Sequence, residues 1–229
     1  MLSLAYLLQR APGLIALFLA LLLSGAMLLA WADLDRMERL ALSRHGPDTA
    51  QVVGLWRAML RDISTLDERE KIERVNAYFN TLARWRQDID VWQQHDYWAT
   101  PLELMAKREG DCEDFSIAKY MTLLLSGVEV GKMRITYVKA RLGGVDGTVT
   151  QAHMVLAYYP TPNADPLILD NMISEVRPAS RRDDLKPVFG FNSEGIWVGG
   201  ASKPSIHNPA ARLSRWRDLL QRMAADGLG

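Results

Sequence analysis

The sequence predicts an α+β fold, because its hydrophobic pattern changes character once along the chain. Apolar residues recur with helical spacing as far as Leu125, whereas after Gly131 they alternate with polar residues as they do in β-strands. A run of helices followed by a run of antiparallel strands is typical of the α+β class. The 229 residues are 48% hydrophobic and 24% charged, which is sufficient for one domain with a substantial core.

The N-terminus is predicted to be a signal peptide or a membrane anchor at residues 1–32. An almost unbroken apolar run there follows Arg10 and precedes Asp33, a charge order that leaves the rest of the chain outside the cytoplasm. Ala30-Trp31-Ala32 matches a small-x-small cleavage site, but the run is also long enough to remain as an anchor. Residues 33–229 are then the exported domain.

The charge pattern excludes nucleic acid as an expected partner. The chain has 27 basic and 27 acidic residues, so its formal net charge is zero, and no long run of one sign occurs. A nucleic-acid groove requires clustered lysines and arginines interleaved with aromatic residues, and the sequence offers no such cluster.

Four helices are predicted before the pattern changes, separated by an irregular aromatic segment at residues 86–99. They are residues 48–62, a helix of about 18 residues that a Thr65–Glu68 capping box begins, a short helix from Pro101 that stops at Gly110, and a helix from Asp111 or Cys112 to Leu125.

Strands and one last helix are predicted in the second half. The strands are residues 134–140, 152–159 and 167–169, with a fourth within 193–198 and a hairpin turn at 143–147. The final helix is predicted to begin at Asn208-Pro209, with an apolar stripe of Leu213, Trp216, Leu220 and Met223.

Cys112 is the single cysteine of the chain, so it has no partner for an internal disulfide. It is a buried structural residue, an intermolecular link or a reactive thiol. Its position favours the thiol, because Gly110 ends the preceding helix and Cys112 stands at the start of the next. Backbone N–H groups at a helix N-terminus stabilise a thiolate, and they can also bind the oxyanion of a tetrahedral intermediate.

Three carboxylates beside Cys112 work against this activation. Asp111, Glu113 and Asp114 place negative charge within two residues of the sulfur, and negative charge disfavours a second anion. A bound Ca²⁺ would resolve the conflict, since carboxylate oxygens are ligands that calcium prefers. The alternative is that these residues are solvated acids that interact with the helix dipole. The residues alone leave both interpretations open.

A thiol nucleophile requires a base and a group that orients the base. His153 lies inside the second predicted strand, and Asp170 ends the third, where a hairpin neighbour would meet it. Each also has a structural interpretation, as a strand histidine and as a turn residue, and His95 is a rival base. A cysteine on a helix with a histidine and a carboxylate on neighbouring strands is the arrangement of papain-like hydrolases.

Three motifs carry a resemblance to a known family. Gly110-Asp-Cys-Glu-Asp-Phe-Ser-Ile-Ala-Lys-Tyr, Ala152-His-Met-Val-Leu and Leu167-Ile-Leu-Asp-Asn resemble the bacterial transglutaminase-like cysteine proteinases over about residues 67–198. The resemblance implies a papain-like or transglutaminase-like fold, in which N-terminal helices, with the nucleophile helix among them, pack on an antiparallel sheet. It implies the catalytic triad Cys112, His153 and Asp170, and calcium ligands at Asp111, Glu113 and Asp114.

The same resemblance implies a biological role. It predicts a calcium-dependent periplasmic cysteine endopeptidase that cleaves the N-terminal region of a large cell-surface adhesin at a di-alanine site, releases the adhesin and promotes biofilm dispersal. It also implies a LapD-like inner-membrane receptor for cyclic di-GMP that sequesters the enzyme. Alternatives are a transglutaminase or amidase with the same triad, or a non-catalytic calcium-binding module. Trp98 is expected either to line the cleft or to be a core aromatic residue.

Overall fold

The computed structural model describes residues 32–143 and 149–229, which form helices packed on an antiparallel sheet. The predicted α+β class is therefore confirmed. Most of the export segment and nearly all of the hairpin turn lie outside the described residues. Within the described ranges, no helix is long and apolar enough to cross a membrane.

The helices precede the sheet, apart from one that follows it. The α-helices of the described chain are α1 (Leu34–Leu40), α2 (Pro47–Ile63), α3 (Glu68–Leu82), α4 (Asp88–Trp92), α5 (Pro101–Lys107), α6 (Cys112–Leu125) and α7 (Ser214–Ala225). A π-helical segment, Ala41–His45, joins α1 to α2. The predicted helices over 48–62 and from Cys112 to Leu125 correspond to α2 and α6.

The main sheet of the described residues is antiparallel and has seven strands. These are β3 (Met133–Leu142), β4 (Val149–Tyr158), β5 (Leu167–Leu169), β6 (Arg177–Pro178), β7 (Leu185–Phe191), β8 (Gly195–Val198) and β9 (Ile206–His207). Their order across the sheet is β6-β5-β4-β3-β7-β8-β9. A separate parallel pair joins β1 (Arg84–Trp85) to β2 (Glu109–Gly110).

The main core lies between α6 and one face of the central strands. Met154 and Leu156 of β4 point into this core together with Ile135 of β3, because alternate residues of a strand share a face. Val155 and Ala157, on the other face of β4, belong to a smaller apolar cluster. Both faces of this part of β4 are therefore buried, so its sequence reads as a continuous apolar run.

Strand β7 was not predicted, because Pro187 and Gly190 interrupt the alternating pattern. The structure accommodates the proline at a β-bulge, where Tyr137 pairs with Phe189 and Val138 pairs with Pro187. A bulge tolerates a residue that donates no ladder hydrogen bond. The strand therefore pairs with β3 despite a sequence that argues against it.

The predicted start of α3 and the predicted end of α5 were wrong. Helix α3 is capped by Asp67, whose carboxylate accepts a hydrogen bond from the N–H of Glu70 at 2.9 Å, and not by Thr65. Helix α5 ends where Arg108 adopts a left-handed conformation, with φ of 52°, before Gly110 is reached. Helix α3 therefore begins later than predicted, and helix α5 ends earlier.

The C-terminal helix also begins later than predicted. Asn208 does not cap a helix, because Pro209–Ala211 form a single 3-10 turn and α7 starts at Ser214. The buried stripe also differs from the predicted one, because Leu219 is fully buried and Leu220 only partly. The helix packs its stripe on the sheet side, where Trp216 meets Phe191.

Candidate active site

Cys112 is the first residue of α6, and the turn before it is held by Asp114. The Asp114 carboxylate accepts hydrogen bonds from the N–H groups of Ala99 at 2.7 Å and Asp111 at 3.2 Å. A Cβ atom at position 110 would lie 2.4 Å from Asp114 Oδ2, so only glycine fits there. Gly110 and Asp114 together present Cys112 at the helix N-terminus.

Replacing Gly110 with alanine is expected to lower the free energy of unfolding by about 1–3 kcal/mol, because the new methyl group overpacks against the Asp114 carboxylate. Gly200→Ala is the matched control, since a Cβ atom there meets nothing within 4 Å. Urea denaturation of both variants checks the prediction. Equal stability of the two variants would show that the turn yields at no cost.

Burial and the neighbouring acids both disfavour the Cys112 thiolate in this structure. Burial raises the pKa of the Cys112 thiol, and the charges of Glu113 and Asp111 raise it further. The thiol donates a hydrogen bond to Glu113 Oε2 at 3.1 Å. The backbone N–H of Met154 acts in the opposite direction and favours the thiolate. Without a compensating cation, Cys112 is therefore held as a thiol.

Asp88 joins these acids, although the sequence analysis did not identify it. The ligand atoms of Asp88, Asp111 and Asp114 lie within 4.8 Å of one another, as do those of Asp111, Cys112 and Glu113. Asp88 comes close because the N–H of Arg86 donates to the carbonyl of Gly110 at 2.9 Å. This long-range pairing leaves no local signal in the sequence.

The cluster has the properties expected of a cation site. Burial raises the pKa of Asp111 to about 9 and that of Asp88 to about 6, and neighbouring carboxylates contribute to both shifts. Asp111 Oδ1 and Asp88 Oδ1 are buried and have no hydrogen-bond partner among the described residues. Both Asp114 oxygens are occupied by backbone N–H groups, so the free oxygens of Asp88 and Asp111 are better ligands for a hard divalent cation, and Glu113 lies within reach of Asp111.

His153, on β4, and Asp170, the residue after β5, form a buried pair. His153 Nε2 lies 2.8 Å from Asp170 Oδ1, and Arg182 Nη2 lies 2.8 Å from Asp170 Oδ2. Burial alone would raise the pKa of Asp170, but hydrogen bonds from His153, the Met172 N–H and Arg182 lower it to about 2. An ionised Asp170 accepts the hydrogen on Nε2, which leaves Nδ1 of a neutral His153 as its basic nitrogen.

The structure therefore assembles two of the three predicted catalytic residues directly. Cys112 lies beside β4 at Met154, the residue after His153. No hydrogen bond joins the sulfur to His153 in the described part of the chain, where the thiol donates to Glu113 instead. His95, the rival base, is exposed and forms no ion pair within residues 32–143 and 149–229.

Trp98 is a core residue. Its ring stacks on Phe191 with centroids 5.7 Å apart, and only 4% of the residue is exposed. The indole N–H donates to Asp96 Oδ1 at 3.1 Å, so it is not available to a substrate. Of the two expected roles, the structure supports the core aromatic.

Lys119, on α6, is a buried cation that the sequence did not single out. Its side chain is fully buried, and Nζ has no hydrogen-bond partner in the parts of the chain described. Burial lowers the pKa of Lys119 to about 7, and the charge of Asp170 opposes this shift. Folding therefore disfavours the protonated amine, whereas the unfolded chain keeps it protonated up to about pH 10.

Lys119→Met is expected to raise the free energy of unfolding at pH 7 by about 1–4 kcal/mol, because it removes a charge that burial penalises. In the wild type the unfolded state binds more protons between about pH 7 and 10, so stability rises with pH there, and the variant loses this rise. Urea denaturation across that range checks the prediction, with the exposed Lys139→Met as control. A wild-type slope retained in Lys119→Met would contradict it.

The fold and the site together define a cysteine hydrolase of papain-like architecture. A cysteine begins the helix that packs on an antiparallel sheet, and a buried histidine on one strand of that sheet pairs with a carboxylate that directly follows the next strand. The family described as bacterial transglutaminase-like cysteine proteinase (BTLCP) matches residues 57–184. The chain belongs to this family of cysteine proteinases.

Solved structures of LapG from Legionella pneumophila are similar to this chain. The calcium-bound form is 36% identical, covers 83% of this chain and 98% of its own, and has a TM-score of 0.71. The EGTA-treated form is 37% identical, with coverages of 83% and 97% and a TM-score of 0.72. No curated protein matches the chain.

Proposed function

We propose that this protein is a LapG-like, calcium-dependent endopeptidase of the periplasm, with Cys112, His153 and Asp170 as its catalytic triad. Its substrate is the N-terminal region of a large cell-surface adhesin, which it cuts at a di-alanine site to release the adhesin and promote biofilm dispersal. The buried His153–Asp170 pair, beside the strand that meets Cys112, is the observation that carries the proposal. Membership of the cysteine proteinase family supports it.

The reaction is acyl transfer through a covalent thioester. The Cys112 thiolate attacks the scissile carbonyl, and N–H groups at the start of α6 receive the oxyanion. His153 Nδ1 protonates the leaving amine and then activates the water that releases the acyl group. Asp170 keeps the hydrogen on Nε2, and Arg182 holds Asp170 in place through Oδ2.

Calcium is proposed as the cation of the acid cluster. Calcium-bound and EGTA-treated structures of the Legionella relative support this choice. Asp88, Asp111 and Glu113 would hold the ion, while Asp114 caps the helix and stands within reach. When bound, the ion supplies positive charge that offsets the carboxylates around Cys112 and so permits the thiolate to form.

Two further partners belong to the proposal. The adhesin is the protein substrate, and a LapD-like inner-membrane receptor for cyclic di-GMP sequesters the enzyme when the messenger is abundant.

The apolar segment within residues 1–32 supports export and leaves either a free or an anchored periplasmic enzyme. Cell fractionation of the full chain checks this location, and recovery in the cytoplasm would contradict it.

Cleavage of recombinant adhesin N-terminal fragments tests the activity. The exported protein is incubated with each fragment in the presence of calcium or a chelator, and products are identified by mass spectrometry. Cleavage between two alanines that requires calcium supports the proposal. Transfer of a labelled amine to a glutamine substrate, without peptide cleavage, would favour a transglutaminase. Folded, calcium-loaded protein that does neither would favour a binding module.

A further inference from the structure

A cavity of about 390 Å³ lies on the face of the sheet turned away from α6. Its walls come from alternate residues of β3 and β4, the residues that point away from the main core. Val155, Ala157 and Ile168 form an apolar floor, and loops that contain Pro162 and Gly200 form the rim. A cavity of this size and character is typical of a small-molecule site.

Arg134 is a buried cation at this cavity, and it has no acidic partner in the part of the chain that the structure describes. Only 4% of the residue is exposed, and among the described residues no carboxylate forms an ion pair with it. Its guanidinium lies between two rings, 4.2 Å from the centroid of Tyr159 and 4.3 Å from that of Trp197. Burial lowers the pKa of Arg134, and the hydroxyl of Tyr159 opposes this shift, but no carboxylate of the described chain neutralises the charge.

Three side chains that line the cavity carry a buried donor without a partner among the described residues. Arg134 Nη1 donates to the carbonyl of Ala201 at 2.9 Å, but its Nε has no partner in residues 32–143 and 149–229. The same is true of Trp197 Nε1 and Arg182 Nη1, and all three side chains line the cavity. Arg182 and Trp197 are themselves at least nine-tenths buried. These three atoms have almost no accessible surface, so the positive charge of Arg134, which lines the cavity, is the feature that indicates an anionic occupant.

We propose that this cavity binds a small organic carboxylate with an apolar body. The carboxylate lies at Arg134, whose buried positive charge it would offset. The hydrocarbon or aromatic body lies over Ala157 and Ile168. A neutral ligand would leave Arg134 uncompensated, and an ion without an apolar body would leave the floor of the cavity unfilled.

The cavity is separate from the proposed catalytic centre. Cys112, His153 and Asp170 do not line it. The two sites meet at Arg182, which lines the cavity and also holds Asp170 at 2.8 Å. A small anion that fits the cavity is chemically unlike a polypeptide substrate, so this site does not depend on the proposed protease activity.

Titration calorimetry on the exported protein with three probes tests the proposal. Hexanoate carries both the charge and the apolar body, hexanamide lacks the charge, and acetate lacks the body. We expect hexanoate to bind at least about tenfold more tightly than either of the others, because the charge-assisted contact and the apolar burial each contribute about one order of magnitude. Equal affinity for hexanoate and hexanamide, or no binding of hexanoate, would overturn the proposal.

Two variants and a control assign the binding to this cavity. Arg134→Met is expected to weaken hexanoate binding at least about tenfold. Arg141→Met is the matched control, because Arg141 is exposed on the same strand and does not line the cavity. Ala157→Leu keeps Arg134 but fills the floor, and it should abolish binding even if Arg134→Met fails to fold. Hexanoate binding that survives Ala157→Leu would place the probe elsewhere and refute the assignment.

Discussion

Replacing Cys112 with alanine is expected to abolish proteolysis, lowering kcat/KM by at least about 10⁴-fold, because the covalent route is lost when the nucleophile is removed. Alanine retains the small side chain at the start of α6, so the helix and its Asp114 cap should persist. The measurement is cleavage of an adhesin N-terminal fragment by wild-type and variant protein at saturating calcium.

The control for this prediction is a change that alters a neighbour without removing the nucleophile. Ser116 donates to the carbonyl of Cys112 at 2.8 Å from the next turn of α6, and Ser116→Ala deletes only that bond. It should retain most of the activity. Substantial cleavage by folded Cys112→Ala protein would exclude Cys112 as the nucleophile and remove the basis of the proposed triad.

Calcium removal is expected to lower the reactivity of Cys112 at least about tenfold at pH 7, since a cation that offsets the acids should shift the pKa of the thiol down by at least about one unit. The single cysteine makes the measurement direct, because iodoacetamide alkylation reports this thiol alone. Rates are compared with calcium and with a chelator, and proteolysis is measured in parallel. An alkylation rate independent of calcium would separate the metal from the nucleophile.

Asp88 provides the sharper form of this test, because only the structure implicates it. Asp88→Asn is expected to weaken calcium binding at least about tenfold, through loss of a negatively charged ligand. Asp90→Asn is the matched control, since Asp90 lies on the same short helix and is exposed. Unchanged calcium affinity in Asp88→Asn would remove Asp88 from the ligand set and leave Asp111 and Glu113 as its carboxylates.

The nucleophile helix was predictable because its signals are local. Gly110, Asp111 and the apolar stripe that follows define where α6 starts, and the structure begins it at Cys112. The strands that carry His153 and end at Asp170 were recognised for the same reason, since alternation and flanking turn residues are contained in a few positions. Only the role of Gly110 differs, because it makes room for Asp114 instead of ending α5.

The elements that sequence reasoning missed depend on contacts between distant segments. Strand β7 forms because a bulge in its pairing with β3 accommodates Pro187, and no local pattern records that pairing. Asn208-Pro209 has the composition of a helix start, yet the helix begins at Ser214. Local propensity amounts to a few tenths of a kcal/mol to about 1 kcal/mol per residue, and tertiary packing overrides it.

The sequence by itself determined the α+β order, the position of Cys112 at a helix N-terminus, and the strands of His153 and Asp170. Only the tertiary structure decided which charges meet. It placed Asp88 among the acids near Cys112 and Arg182 behind Asp170, and it placed Arg134 at an apolar cavity to which the described residues bring no acid. Periodicity reports neighbours within a turn or a strand, whereas electrostatic partners are chosen by packing between segments far apart in the chain.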